Sequence, residues 1–224
     1  MKLDEYLKIE KEMDVEMSKI WDKPFFDGIT NYELYKKSPI KILWILKEPN
    51  GKGGGNHRIF HEDIRNYNRW KSTYGNIMRV GYAILDGISE FKEIPSIDTK
   101  ECTIANVPVL DEVAIININK SAGGSVTPIG KLDIEYKRDG VKEYLLKQIE
   151  FMNPEIIINS HGVYKFFLDQ IENNEVKKVH GEQYAINKKR LIIWTSHPNR
   201  APKESYCNNI LNIINNCKSK NNGT

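Results

Sequence analysis

The side chains able to do chemistry in this sequence fall directly after short apolar runs. Lys47-Glu48-Pro49-Asn50-Gly51 follows the run 41–46, and Asn117-Ile118-Asn119-Lys120 closes the run 113–117. Ser160-His161-Gly162 follows 156–159, and Ser196-His197-Pro198-Asn199-Arg200 follows 191–195. A carboxylate and an imidazole are groups that move protons or steady developing charge near neutral pH. An amide offers a donor and an acceptor on one planar group. Cations suit phosphate, and Lys52, Arg58, Lys120, Lys188, Lys189 and Arg200 are the candidates for that role. Gly51-Lys52-Gly53-Gly54-Gly55 could bring backbone amides close to a phosphate. It lacks the ending and spacing of a triphosphate-binding loop. His57 and His61 stand four apart, but position 58 is Arg rather than Glu, so the pair does not read as a zinc-binding helix and no metal is expected. His161 reads as an ordinary loop histidine.

The four apolar runs are short, continuous and closed by turn residues, which is the pattern of strands buried on both faces. Helical spacing lies between them. Residues 3–22 place Leu3, Tyr6, Leu7, Ile9, Met13, Met17, Ile20 and Trp21 on one stripe, ended by Pro24 and Asp27-Gly28. Residues 61–88, 140–152, 163–171 and 203–214 read as further helices, with Asp139 as an N-cap and Pro154 as a stop for the second of these. Strands alternating with helices predict a three-layer α/β/α domain around a central four-stranded, mostly parallel sheet. In such a sheet ligands gather beyond the carboxyl ends of the strands, which is where the four chemistry-bearing segments fall. The expected organisation is one domain over residues 1–217, with an N-terminal helix within 1–22 and a frayed tail over 218–224.

The chain has 224 residues, 40% hydrophobic and 28% charged, as expected of a globular domain able to fold without disulfides or structural metal. No apolar run reaches the roughly 20 residues of a membrane helix, and the N-terminus is too acidic for a secretory signal. Three cysteines, an odd number without metal-site spacing, suggest a reducing cytoplasm and argue against an iron–sulfur cluster. The net charge of +3 is unevenly spread: residues 41–79 hold eight Lys/Arg against three Asp/Glu, and residues 177–203 hold seven against one. Brought together, the two segments could form a cationic face for a phosphate backbone. The first 19 residues instead hold six acids against four lysines.

The strand-end segments, taken in order, resemble those of the uracil-DNA glycosylase superfamily. Ile45-Leu46-Lys47-Glu48-Pro49-Asn50 occupies the place of that family's GQDPY-type motif, Ala114-Ile115-Ile116-Asn117 its second strand, and Ser196-His197-Pro198-Asn199-Arg200-Ala201 its HPSPLS-type motif. Ile116-Asn117-Ile118-Asn119-Lys120, ending at Thr127-Pro128, is similar to the TNAVKC…TP stretch of the thermophilic branch, and His57-Arg58-Ile59-Phe60 to HGLAF. The resemblance implies an enzyme without cofactor, acting on DNA, that flips a pyrimidine out of the stack and hydrolyses its N-glycosidic bond. It implies Glu48 as the carboxylate that activates water and His197 as the group supporting the leaving base. Asn117, or Asn119 in the alternative register, would read the base edge, and Phe60 would stack on it.

Two departures from the family refine that expectation. Asn50 stands where many members carry a Tyr that excludes the thymine methyl, which leaves room for a 5-modified pyrimidine such as a hypermodified phage cytosine. Ala201 stands where a Leu wedge is frequent, with Arg200 as a candidate replacement. No lysine is evidently placed as an amine nucleophile, so the expected enzyme is monofunctional and leaves an abasic site. The expected setting is cytoplasmic, as a monomer, in base-excision repair or antiviral defence, with no membrane partner. Two other readings stand beside it: a DNA-binding module of the same fold without catalysis, and a hydrolase of free nucleosides or nucleotides.

Overall fold

The computed structural model describes residues 1–50, 53–59, 71–123, 130–160, 177–179, 182–186, 190–199 and 201–221. Its strands are β1 Phe25–Phe26, β2 Gly28–Ile29, β3 Ile42–Leu46, β4 Gly55–Asn56, β5 Ile97–Asp98, β6 Thr103–Ile104, β7 Ala114–Asn117, β8 Ile156–Ser160, β9 Lys177–Val179, β10 Glu182–Ile186 and β11 Leu191–Thr195. Its helices are α1 Leu3–Ile20, α2 Tyr32–Lys37, α3 Lys71–Asp86, α4 Lys131–Tyr136, α5 Val141–Met152 and α6 Lys203–Asn221. Two of these helices differ from the expectation at their ends. α6 runs into the expected tail as far as Asn221; α5 starts from Gly140 in a left-handed conformation, without a side-chain cap from Asp139. The expected helix at 61–88 is described only from Lys71, and the one at 163–171 lies outside the described residues.

The four apolar runs form the parallel centre of the main sheet, in the order β7-β3-β8-β11. The sheet does not stop at four strands. It has seven, in the order β2-β7-β3-β8-β11-β10-β9, and β2, β10 and β9 each pair antiparallel. Because side chains alternate across a strand, each central strand feeds two cores. Leu43, Ile45, Ala114, Ile116, Ile157 and Ile192 pack under α1 and α5, while Ile42, Trp44, Leu46, Ile158 and Ile193 pack under α3 and α6. That is a three-layer α/β/α arrangement. From β3 the chain passes through α3 to β7 on one side; it then returns through α4 and α5 to β8 on the other. Crossovers of one hand that run in opposite directions must lay their helices on opposite faces.

The N-terminal helix belongs to the fold. Tyr6, Met13 and Met17 are buried in the first core, and Tyr6 stacks between Tyr32 and Phe151 at 4.2 and 5.1 Å. Of the three cysteines, Cys207 is buried and Cys102 and Cys217 are half-buried. Among the described residues no helix is long and apolar enough to cross a membrane.

Candidate active site

Glu48 stands two residues beyond the end of β3, and Pro49 behind it is buried. The pairing of β3 with β7 continues past both strands: Ile118 N donates to Leu46 O, Asn119 N to Lys47 O, and Gly123 N to Pro49 O at 2.8 Å. This zipped pair of loops lays the Glu48 side chain over the backbone of Gly123, where a Cβ would overlap the carboxyl carbon. The side chain is 2% exposed. Glu48 Oε2 accepts from Asn119 Nδ2 at 3.2 Å and from Lys131 Nζ at 2.7 Å. Lys131 opens α4 and is 40% exposed, so this buried carboxylate faces a cation that itself reaches water. Asn119 is fixed in turn, its Oδ1 accepting from Ser121 N at 3.0 Å.

His197 stands two residues beyond β11 and is half-buried. Asn199 N donates to its Nδ1 at 3.2 Å. With Nδ1 accepting, the neutral imidazole carries its proton on Nε2. Asn76, buried on α3, clamps the turn that follows by donating to Pro198 O at 2.8 Å and Ala201 O at 3.2 Å, and Ser72 donates to Asn199 Oδ1. Ala201 packs against the second core instead of projecting. β8 lies between β3 and β11, so the strands carrying Glu48 and His197 are two spacings apart, about 10 Å. The two groups share one rim. The Glu48 carboxylate leans from there toward the β7 side, through Asn119 and Gly123. At the ends of β8 and β11 the cross-strand neighbours Ser160 and Thr195 bury hydroxyls that have no hydrogen-bond partner among the described residues.

Three expected site residues belong to a different cluster. Asp27, between β1 and β2, is 2% exposed, and Lys120 is fully buried against it with Nζ–Oδ1 2.7 Å. Gln148 Oε1 also accepts from Lys120, at 2.8 Å. Asn117 gives Asp27 Oδ2 both its backbone N–H, at 2.7 Å, and its side-chain amide, at 3.2 Å. Burial pulls the Lys120 ammonium below the ordinary lysine value, while the Asp27 carboxylate opposes that shift. Arg58 donates twice to Asp14 of α1, at 2.8 and 2.6 Å, and once to Asp27 O. Lys120 and Arg58 are therefore not phosphate contacts: the first is sealed inside the protein, and the second is neutralised by the acidic face of α1 with only 10% of its side chain exposed. Asn117 is spoken for by Asp27, so of the two asparagines beyond β7's apolar run only Asn119 reaches the Glu48 carboxylate.

The glycine-rich loop likewise has a packing role. A Cβ on Gly54 would lie 2.6 Å from Lys23 O and 2.7 Å from Pro24 O, and Gly55 pairs with Phe25 across β4 and β1. Only glycine lets the two backbones pass so closely. Asn50 is exposed and bridges to Gly123 through its backbone. His57 packs on Phe25 with ring centroids 4.6 Å apart, and burial lowers its pKa, with Asp27 raising it and Lys120 lowering it further. Lys52, Phe60, His61, His161, Lys188, Lys189 and Arg200 lie outside the described residues. Lys131 and Gly123 were not identified from sequence, nor was the Asp27 cluster. The only sequence hint was the position of Gly123 and Lys131 on either side of the Thr127-Pro128 stretch. No family model matches this chain, and no curated protein matches it.

Proposed function

We propose that this protein is a divergent DNA glycosylase of the uracil-DNA glycosylase type, hydrolysing the bond between deoxyribose and a flipped pyrimidine, either uracil or a 5-modified base. One observation carries the reading: a buried carboxylate, Glu48, is fixed at the carboxyl end of β3 by Asn119 and Lys131. It shares that rim with a histidine whose Nδ1 is already occupied. Breaking an N-glycosidic bond puts positive charge on the sugar and negative charge on the base. A desolvated carboxylate steadies the first and orients water, while a histidine N–H steadies the second. Asn119, Asn50 and Phe60 are the proposed base contacts. The spacing of the ordered strand-end motifs supports the same assignment, in base-excision repair or in defence against phage with altered cytosine.

The test is a side-by-side assay of uracil, thymine mismatches, and hydroxymethylated or glucosylated cytosine in DNA, with wild type and Glu48→Gln. Base release by the wild type that collapses in Glu48→Gln is expected. No release from any of these substrates would overturn the reading. A second reading, hydrolysis of a free nucleoside or nucleotide, draws support from the internal neutralisation of Arg58 and Lys120. Affinity for DNA through several phosphates falls steeply with salt. Activity indifferent to salt favours the small substrate.

A further inference from the structure

Sequence alone shows no lysine beside the reacting centre, and the structure puts one there. Lys131 Nζ lies 2.7 Å from Glu48 Oε2, and its side chain is 40% exposed at the end of a flexible stem. Lys120, also near this end of β7, is fully buried and held by Asp27 and Gln148. Whatever carbon the Glu48 carboxylate faces is therefore within a short swing of one primary amine.

We propose that Lys131 is an amine nucleophile and gives this protein a second activity, cleavage of the DNA strand at the abasic site that base removal creates. The inference rests on the glycosylase reading above, because it places deoxyribose C1′ beside Glu48. Once the base has left, the sugar opens to an aldehyde at C1′. Lys131 gives a proton to solvent and its nitrogen bonds to C1′; the C1′ oxygen takes up one proton from the nitrogen and one from solvent and leaves as water, and a protonated imine remains. The imine draws electrons from C2′. The C2′ proton passes to the Glu48 carboxylate, a C2′–C3′ double bond forms, and the C3′–O bond breaks, releasing the downstream strand with a 5′-phosphate. Water then hydrolyses the imine, returning Lys131 and leaving an unsaturated aldehyde on the upstream strand. No oxidant or metal enters the balance.

Borohydride reduces such an imine to a stable amine, so the test uses duplex DNA with a preformed abasic site, incubated with the full-length protein and borohydride. A covalent protein–DNA adduct that maps to Lys131 by peptide mass is expected, together with strand cleavage without alkali when borohydride is omitted. A tetrahydrofuran analogue, which has no aldehyde, should give neither. Lys131→Arg keeps the cation next to Glu48 and should lose the adduct by about tenfold or more, as should Lys131→Met. Circular dichroism of both variants checks the fold. No wild-type adduct, an adduct undiminished in folded Lys131→Arg, or an adduct on another lysine would each overturn the proposal. Base release is scored separately, after alkali, on DNA that still carries its base. Release without an adduct removes the lyase step and leaves the glycosylase. An adduct without release from any base keeps the lyase step and counts against the glycosylase.

Discussion

The segment Asn117-Ile118-Asn119-Lys120 feeds two polar clusters of opposite character. Asn117 and Lys120 turn to Asp27, where amide, ammonium and carboxylate are sealed from water and every carboxylate bond is internal. Asn119 turns to Glu48, where an equally buried carboxylate is paired with a lysine that is 40% exposed. Both clusters hold an acid, a lysine and an asparagine. They differ in access. A closed ion pair returns little net stability for its desolvation, yet losing one partner is costly. An open pair can exchange protons and meet a ligand. Residue type alone does not separate a structural cluster from a chemical one; what separates them is whether one member reaches solvent.

The sharpest way to break this comparison is to neutralise each carboxylate cluster in turn. Glu48→Gln should lower the turnover of base release by about 10²–10⁴-fold with little change in DNA affinity, read by single-turnover assays beside a binding titration. Equal activity would return Glu48 to the structural class. The next effect belongs to the sealed cluster. Lys120→Met leaves the Asp27 charge buried without its cation and should cost about 3–5 kcal/mol in urea unfolding. Adding Asp27→Asn to that variant should recover part of the loss. If Lys120→Met folds with normal stability but loses base release, the two clusters have been assigned the wrong way round.

The parallel centre of the sheet was legible because β3, β7, β8 and β11 are continuous apolar runs, a pattern that survives without knowing their neighbours. The three antiparallel additions were not. β2 has two residues, β9 begins Lys177-Lys178, and β10 mixes buried, half-buried and exposed positions without a regular alternation, so each reads as surface or turn. The rim itself followed from the strand ends, but the partners on it did not. Arg58 finds Asp14 across 44 positions, Glu48 finds Lys131 across 83, and Lys120 finds Asp27 across 93. A cation in a basic stretch or beyond a strand end looks like a phosphate contact until the topology brings an acid to it. Asn117 misled for the same reason: its amide is the right chemistry at the right strand, already occupied.

Gly123 sharpens the comparison without removing any charge. A methyl group there would overlap the carboxyl end of Glu48, which is a flexible side chain and can move aside. Gly123→Ala should therefore leave stability nearly intact while displacing the carboxylate, with a loss of about 10²-fold in base release for a shift near 1 Å. Thermal melting and single-turnover rates measured together read both sides. A large fall in melting temperature with proportionate activity would mean that the glycine serves the fold, and the open cluster would lose its claim to be built around Glu48.

The smallest effect tests the sealed side by pH. His57 packs on Phe25 near Asp27 and Lys120, and burial holds its pKa below the usual 6.5. As pH falls through 6.5 the unfolded chain takes up a proton at this position and the native state does not. Native stability must therefore decline until the folded pKa is reached. His57→Gln cannot titrate, so its urea midpoint should gain on that of the wild type as pH drops below 6.5 and run parallel to it above pH 7.5. A gap that stays constant, or widens the other way on acidification, would mean that the native state accepts the proton freely. The Asp27–Lys120 cluster would then be open to water on the His57 side, and the contrast with the Glu48 rim would shrink to a difference of degree.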